Sequence, residues 1–179
     1  KHIISLSIVL VLGLLCFMAG CSNSTGPVGS VNSLSFNSDR GNLAADGPFN
    51  WDPKSGSGVG GYWWGDSTTV VVIAYRFNSP NDVSIAVVGF VNPSGVKAKS
   101  YTIGQTLTRG AFGYTAHIDS IQAMEIVIGN ASLPIYLLNS GTAAVSSLTS
   151  DNIQGTFSGS GALSTNSGET ISISDGKFN

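Results

Sequence analysis

Charge is scarce in this chain: only 10% of its 179 residues are Asp, Glu, Lys or Arg. A folded surface must then be made largely of hydroxyls, amides and exposed backbone, which the 23 glycines and the abundant Ser and Thr supply. The formal charge is −2, and loss of Lys1 with an N-terminal leader leaves seven basic against ten acidic residues, a net −3. Such a balance has no basic stripe to hold nucleic acid or an anionic membrane face. Cysteine and histidine are equally sparse, at two each. Zinc coordination needs more of these ligands than the chain owns, so no metal and no cofactor is expected.

Where the two cysteines fall matters more than their number. Cys16 and Cys21 bracket the end of an apolar run at residues 3–19, preceded by Lys1 and His2. Its basic start and apolar middle have the form of a secretory signal. The competing reading is a transmembrane anchor, but about 17 residues is the lower limit for spanning a bilayer, and no basic stop-transfer cluster follows.

The run closes on Met18-Ala19-Gly20-Cys21, an apolar residue, two small ones and a cysteine, which resembles the lipobox of bacterial lipoproteins. The resemblance implies cleavage before Cys21, acylation of its sulfur and N-terminus with three chains, and anchoring in a bilayer. Several chains hold a protein durably where one binds marginally, at ~0.8 kcal/mol per buried methylene. Only Cys21 would remain in the mature chain, which excludes a disulfide within the domain. Ser22 stands where an inner-membrane retention Asp would stand, so the resemblance favours the outer membrane. Residues 22–30, Ser-Asn-Ser-Thr-Gly-Pro-Val-Gly-Ser, have the composition of a flexible tether. The expected organisation is a signal peptide at 1–20, a lipidated tether at 21–30 and one domain at 31–179.

Beyond Val31 the apolar period is two rather than 3.6, broken by Gly, Pro, Asn and Asp. The domain is expected to be all-β: one antiparallel sandwich or a partly closed barrel. Thr68–Phe77 and Val83–Val91 are the strongest strands and are expected to form a central hairpin through Asn78-Ser79-Pro80-Asn81-Asp82. Both are apolar on both faces, as in strands covered on each side. Further strands are expected at 31–37, 42–50, 99–103, 111–119, 123–128, 133–138, 142–148, 153–163 and 170–178, with a closing loop at Ser164–Glu169. Residues 119–128 also fit a turn or two of helix.

The C-terminal stretch Ile153-Gln-Gly-Thr-Phe157, followed by Glu169-Thr-Ile-Ser-Ile-Ser-Asp-Gly-Lys-Phe178, resembles the closing hairpin of small lipoproteins of Bacteroidetes and related phyla. That resemblance implies an exported β domain and carries no functional residue across.

Candidate chemistry is thin. His117 and Asp119 share a strand face, with Glu125 nearby in sequence, the start of an acid/base pair that reads more simply as a solvated face. No G-x-S-x-G elbow is present. Asn37–Asn42 (Asn-Ser-Asp-Arg-Gly-Asn) has oxygen ligands for calcium but lacks the acid spacing of an EF-hand, and reads as a turn. Gly56–Gly61 lacks the Lys-Ser/Thr of a phosphate cradle and reads as a mobile loop. Trp51 and the run Tyr62-Trp63-Trp64 form the one aromatic patch. In an extended chain Trp63 and Trp64 face opposite sides, so one of them, with Tyr62, could stack on a sugar ring. The expected function is a non-enzymatic binding or structural module of the cell envelope. Its partners would be the bilayer, through acylated Cys21, and a glycan or an envelope protein. The alternatives are a glycan binder using Tyr62, Trp63 and Trp64, or a pilin-like subunit assembling by strand addition.

Overall fold

The computed structural model describes residues 31–50, 54, 56–64, 68–79, 82–104, 108–118 and 135–179. The expected signal and tether with Cys21, Trp51, Asp119, Glu125 and the strand or helix expected within 119–128 lie outside the described residues.

Ten strands appear among those residues: β1 (Ser33–Ser38), β2 (Leu43–Asp46), β3 (Ser57–Trp64), β4 (Thr69–Ser79), β5 (Asp82–Val91), β6 (Lys99–Thr102), β7 (Arg109–Ile118), β8 (Tyr136–Leu148), β9 (Ile153–Leu163) and β10 (Asn166–Phe178). They form one antiparallel sheet in the order β2-β1-β10-β9-β8-β7-β5-β4-β3, with β6 paired to β8 beside that path. The two ends of the order meet. Val59 N–H donates to Gly47 O at 3.0 Å, Pro48 and Val59 form a parallel bridge, and Ser57 Oγ lies 2.9 Å from Asp46 Oδ1. The fold is therefore all-β and a nearly closed barrel, which decides between the two architectures the period-two pattern allowed. Where β7 and β8 splay apart after pairing at Gly113↔Leu137 and Tyr114↔Tyr136, β6 fills the gap. It pairs along Lys99–Thr102 with β8 and touches β7 through an Ile103↔Gly110 bridge.

Alternation sorts the side chains. Leu34 and Phe36 of β1, Leu43 and Ala45 of β2, Phe112 and Tyr114 of β7, Ile153 and Phe157 of β9, and Ile171 and Ile173 of β10 all enter one buried core. Phe36 meets Phe112, Tyr114 and Phe157 edge-on at centroid distances of 5.3, 4.9 and 6.1 Å. Phe157 stacks on Phe112 at 5.0 Å and on Phe178 at 6.4 Å, and Phe90 joins Phe178 to Tyr101. Rings from opposite walls thus touch across the middle, and the lumen is a packed core. Glycines make room for them: a Cβ on Gly155 would overlap the ring of Phe178, and one on Gly176 the ring of Phe157.

The β4–β5 hairpin forms as expected, in register from Thr69↔Val91 to Phe77↔Val83. Val70, Val72 and Ala74 of β4 enter the core, and Val71, Ile73 and Tyr75, which alternate with them, are buried as well.

Three expectations change. Gly56–Gly61, read as a mobile loop, supplies most of β3, paired from Ser57↔Arg76 to Trp64↔Thr69. Its glycines answer to close approach: a Cβ on Gly58 would stand 2.7 Å from Pro48 O and 2.8 Å from the Tyr75 ring. The strands expected at 133–138 and 142–148 are, over the described residues 136–148, one strand, β8, because Asn139-Ser140-Gly141 forms a bulge against β9 rather than a turn, with Gly141 at φ +128°. The terminal loop shrinks, since β10 already starts at Asn166, whose Oδ1 takes the Gly168 N–H at 3.1 Å.

Candidate functional site

Side chains that do not enter the barrel face outward, and on β1, β2 and β10 they border a shallow groove of about 330 Å³. Ser35 and Asn37 of β1, Asn42 and Ala44 on and before β2, and Asp175 and Lys177 of β10 line it, together with Arg76 from β4.

Asp175 owes its place to a β-bulge. Between Ile173 and Gly176, β10 uses one more residue than β9 does between Gly159 and Phe157, and the same extra residue appears against β1. Asp175 is that residue, at φ +53°, the one non-glycine in the left-handed region among the described residues. Asp tolerates this region better than most side chains, at a cost of order 1 kcal/mol. The bulge re-aims the chain, so Ser174 and Asp175 are both exposed in succession before Gly176 and Phe178 turn inward. The carboxylate is held there: Asn37 Nδ2 donates to Asp175 Oδ2 at 3.2 Å, and Ser174 Oγ donates to the same oxygen at 3.3 Å.

Arg76 arrives from the other side of the barrel seam. It pairs with Ser57, the first residue of β3, so beyond it β4 has no β3 neighbour. Its Nη1 donates to Ala44 O at 3.4 Å, a long bond that leaves most of the guanidinium's donors uncommitted. Lys177 makes no ion pair among the described residues. Asn42 gives its Oδ1 to the Ser38 N–H at 2.9 Å, which reserves Nδ2 as a donor. The groove thus offers two cations and amide donors beside one fixed carboxylate. That is equipment for holding a polar ligand; it includes no thiol, imidazole or activated hydroxyl.

A second polar cluster sits at the β1–β2 turn and serves the fold. Ser38 Oγ donates to Gly41 O at 2.5 Å and accepts from Arg40 N at 3.1 Å, so Asn37–Asn42 is a side-chain-stabilised turn. Arg40 Nε donates to Thr170 O at 2.8 Å, and its Nη1 lies 3.7 Å from Glu169 Oε1. Asp39 Oδ1 accepts the Ser172 N–H at 2.9 Å, clipping the turn onto β10. Tyr136 donates its hydroxyl to Glu169, and this bond, reinforced by burial, raises the Tyr136 pKa. With both charges more than a third exposed, the Arg40–Glu169 pair contributes about 0–1 kcal/mol. Among the described residues no three His, Cys, Asp or Glu gather as metal ligands.

Of the residues singled out from sequence, Tyr62 is half-buried on β3 opposite Val71, and burial pushes its hydroxyl up to about 12. Trp63 and Trp64 follow at the backbone positions opposite Val70 and Thr69. Tyr62 does not line the groove. His117 lies on β7, and the structure describes neither carboxylate once paired with it. Arg76, Asp175 and Lys177 were not singled out from sequence, although two signals were available. One is a lone Arg in the otherwise apolar Val70–Phe77 run; the other is an Asp-Gly dipeptide inside a strand pattern, which marks a bulge.

Among the described residues no helix is long and apolar enough to cross a membrane. No family model, no curated protein and no solved structure matches this chain.

Proposed function

We propose that this protein is a lipid-anchored, non-enzymatic binding module of the bacterial envelope, held in the outer membrane by acylated Cys21. The observation that carries the proposal is Met18-Ala19-Gly20-Cys21 closing an uncharged apolar run. The thiolate is the only side chain there that readily accepts a diacylglyceryl group, and small neighbours let a peptidase grip the backbone. Residues 22–30 then connect the anchor to a barrel whose lumen is filled by its own aromatic rings. A filled lumen moves any binding to the outer face, where the groove lies. Strand addition draws less support, because the short β2 and the end of β3 already lean on each other.

The test is fractionation of bacteria expressing the chain and its Cys21→Ser variant. The parent is expected in the membrane fraction, labelled by a radioactive fatty acid and shortened by the leader. The variant is expected to be unlabelled and uncleaved at that site. Equal processing and an absence of label in both proteins would overturn the proposal.

A further inference from the structure

We propose that the groove between β1, β2 and β10 binds an acidic sugar residue of a polysaccharide, with Arg76 and Lys177 receiving its carboxylate and Asp175 its hydroxyls. The inference deepens the binding-module reading and rests on it; it does not depend on how the chain is anchored.

The chain has eight Lys and Arg residues in 179, and two of them, from strands far apart in sequence, border this one groove. The one carboxylate in the lining, Asp175, accepts from Asn37 and Ser174, and neither cation pairs with it among the described residues, so the groove carries one more positive charge than negative and favours an anion. A guanidinium with uncommitted N–H groups suits a planar carboxylate, which it can engage through two parallel bonds, while the ammonium of Lys177 adds a point charge.

The rest of the lining selects what carries the carboxylate. Asp175, oriented by Asn37 and Ser174, presents an acceptor that a sugar hydroxyl satisfies by donating to it. Ser35, Asn37 and Asn42 add hydroxyl and amide groups that match vicinal hydroxyls in reach and polarity. The same carboxylate repels a doubly charged phosphate, whose second negative charge the two cations would have to offset along with the first. The volume sits at the small end of roughly 300–1,000 Å³ for ligand sites, room for about one sugar ring with its neighbours extending into solvent. Of the apolar residues in the groove's lining, Phe36 and Leu43 are buried in the core and only Ala44 is exposed, which leaves little apolar surface to seat a peptide side chain.

The full-length chain in detergent micelles, titrated calorimetrically with a galacturonic acid oligosaccharide, tests this. Four probes are compared: that oligomer, its neutral galactose counterpart, inorganic phosphate and a short poly-glutamate. Saturable binding of the acidic oligosaccharide alone, weakened by added salt, is expected. Arg76→Gln and Lys177→Gln are each expected to weaken it by roughly tenfold or more, with unfolding midpoints close to the parent's. Should Arg76→Gln disturb the seam at Ala44, Lys177→Gln carries the test, because the Lys177 side chain, unlike its backbone, makes no hydrogen bond or ion pair with another described residue. Undiminished binding by Lys177→Gln overturns the proposal. Equal binding of the neutral oligomer, of phosphate or of poly-glutamate overturns the acidic-sugar assignment while leaving a binding module in place. If none of the four binds, the groove is not a site for this chemistry.

Discussion

Tyr62 loses much of its solvent on folding, and that burial alone pushes its hydroxyl up to about 12. A tyrosine is neutral when protonated, so a folded pKa above the unfolded value near 10 means the unfolded chain ionises first. The stabilisation is fully present below pH 10 and is lost as pH rises from about 10 through about 12. Urea unfolding of the parent and of Tyr62→Phe at stepped pH should therefore give curves that run together below pH 10. Above it the parent should lose stability faster than Tyr62→Phe. Superimposable slopes for the two proteins across that range would show that Tyr62 is not desolvated. At this scale the sequence is only partly readable. The aromatic run at 62–64 stands out in any survey of composition, whereas Asp175 matters through one dihedral angle, and a strand pattern does not print dihedral angles.

The most informative element is β3, where glycine at nearly every second position disguises a strand as a loop. Gly58 lies at the seam between the two ends of the sheet, pressed between Pro48 O and the Tyr75 ring. Tyr75 in turn packs edge-on against Phe49 at 5.1 Å and donates its hydroxyl to Asn50 O. A methyl group at position 58 has no room unless the segment after β2 moves away. Gly58→Ala is therefore expected to speed amide exchange of Val59, whose N–H spans the seam to Gly47 O, by roughly tenfold or more. Amides in the β8–β9 pairing, remote from the seam, should keep their parental rates. Unchanged exchange at Val59 would mean that the seam tolerates the methyl group and that the glycine is there for another reason. β8 teaches a related lesson. Asn-Ser-Gly is turn chemistry in isolation, but with partners on both edges the chain absorbs it as a bulge and continues as one strand.

For the molecule as a whole, near-closure joins every strand to one core, and the ring of Phe157 touches those of Phe36, Phe112 and Phe178 from three other strands. Removing it should be felt everywhere at once. Phe157→Ala is expected to cost about 3–5 kcal/mol, with intrinsic fluorescence and far-ultraviolet dichroism following a single coincident urea transition in both proteins. Separate transitions for the two probes would show that the barrel is not one cooperative unit. Sequence by itself determined the class of this fold, because a period of two leaves each strand one apolar face to bury. It also determined the β4–β5 hairpin, whose two strands are strongly apolar and close in the chain. The proposed anchoring motif, Met18-Ala19-Gly20-Cys21, rests on the sequence alone, as a linear string. What only the tertiary structure decided was closure, which depends on shear and on the meeting of β2 and β3, strands that do not pair in the ladder. The groove was decided there as well: Arg76 and Lys177 stand a hundred residues apart in the chain. No local period reports that a bulge in β10 and the end of β3 bring them to the same face.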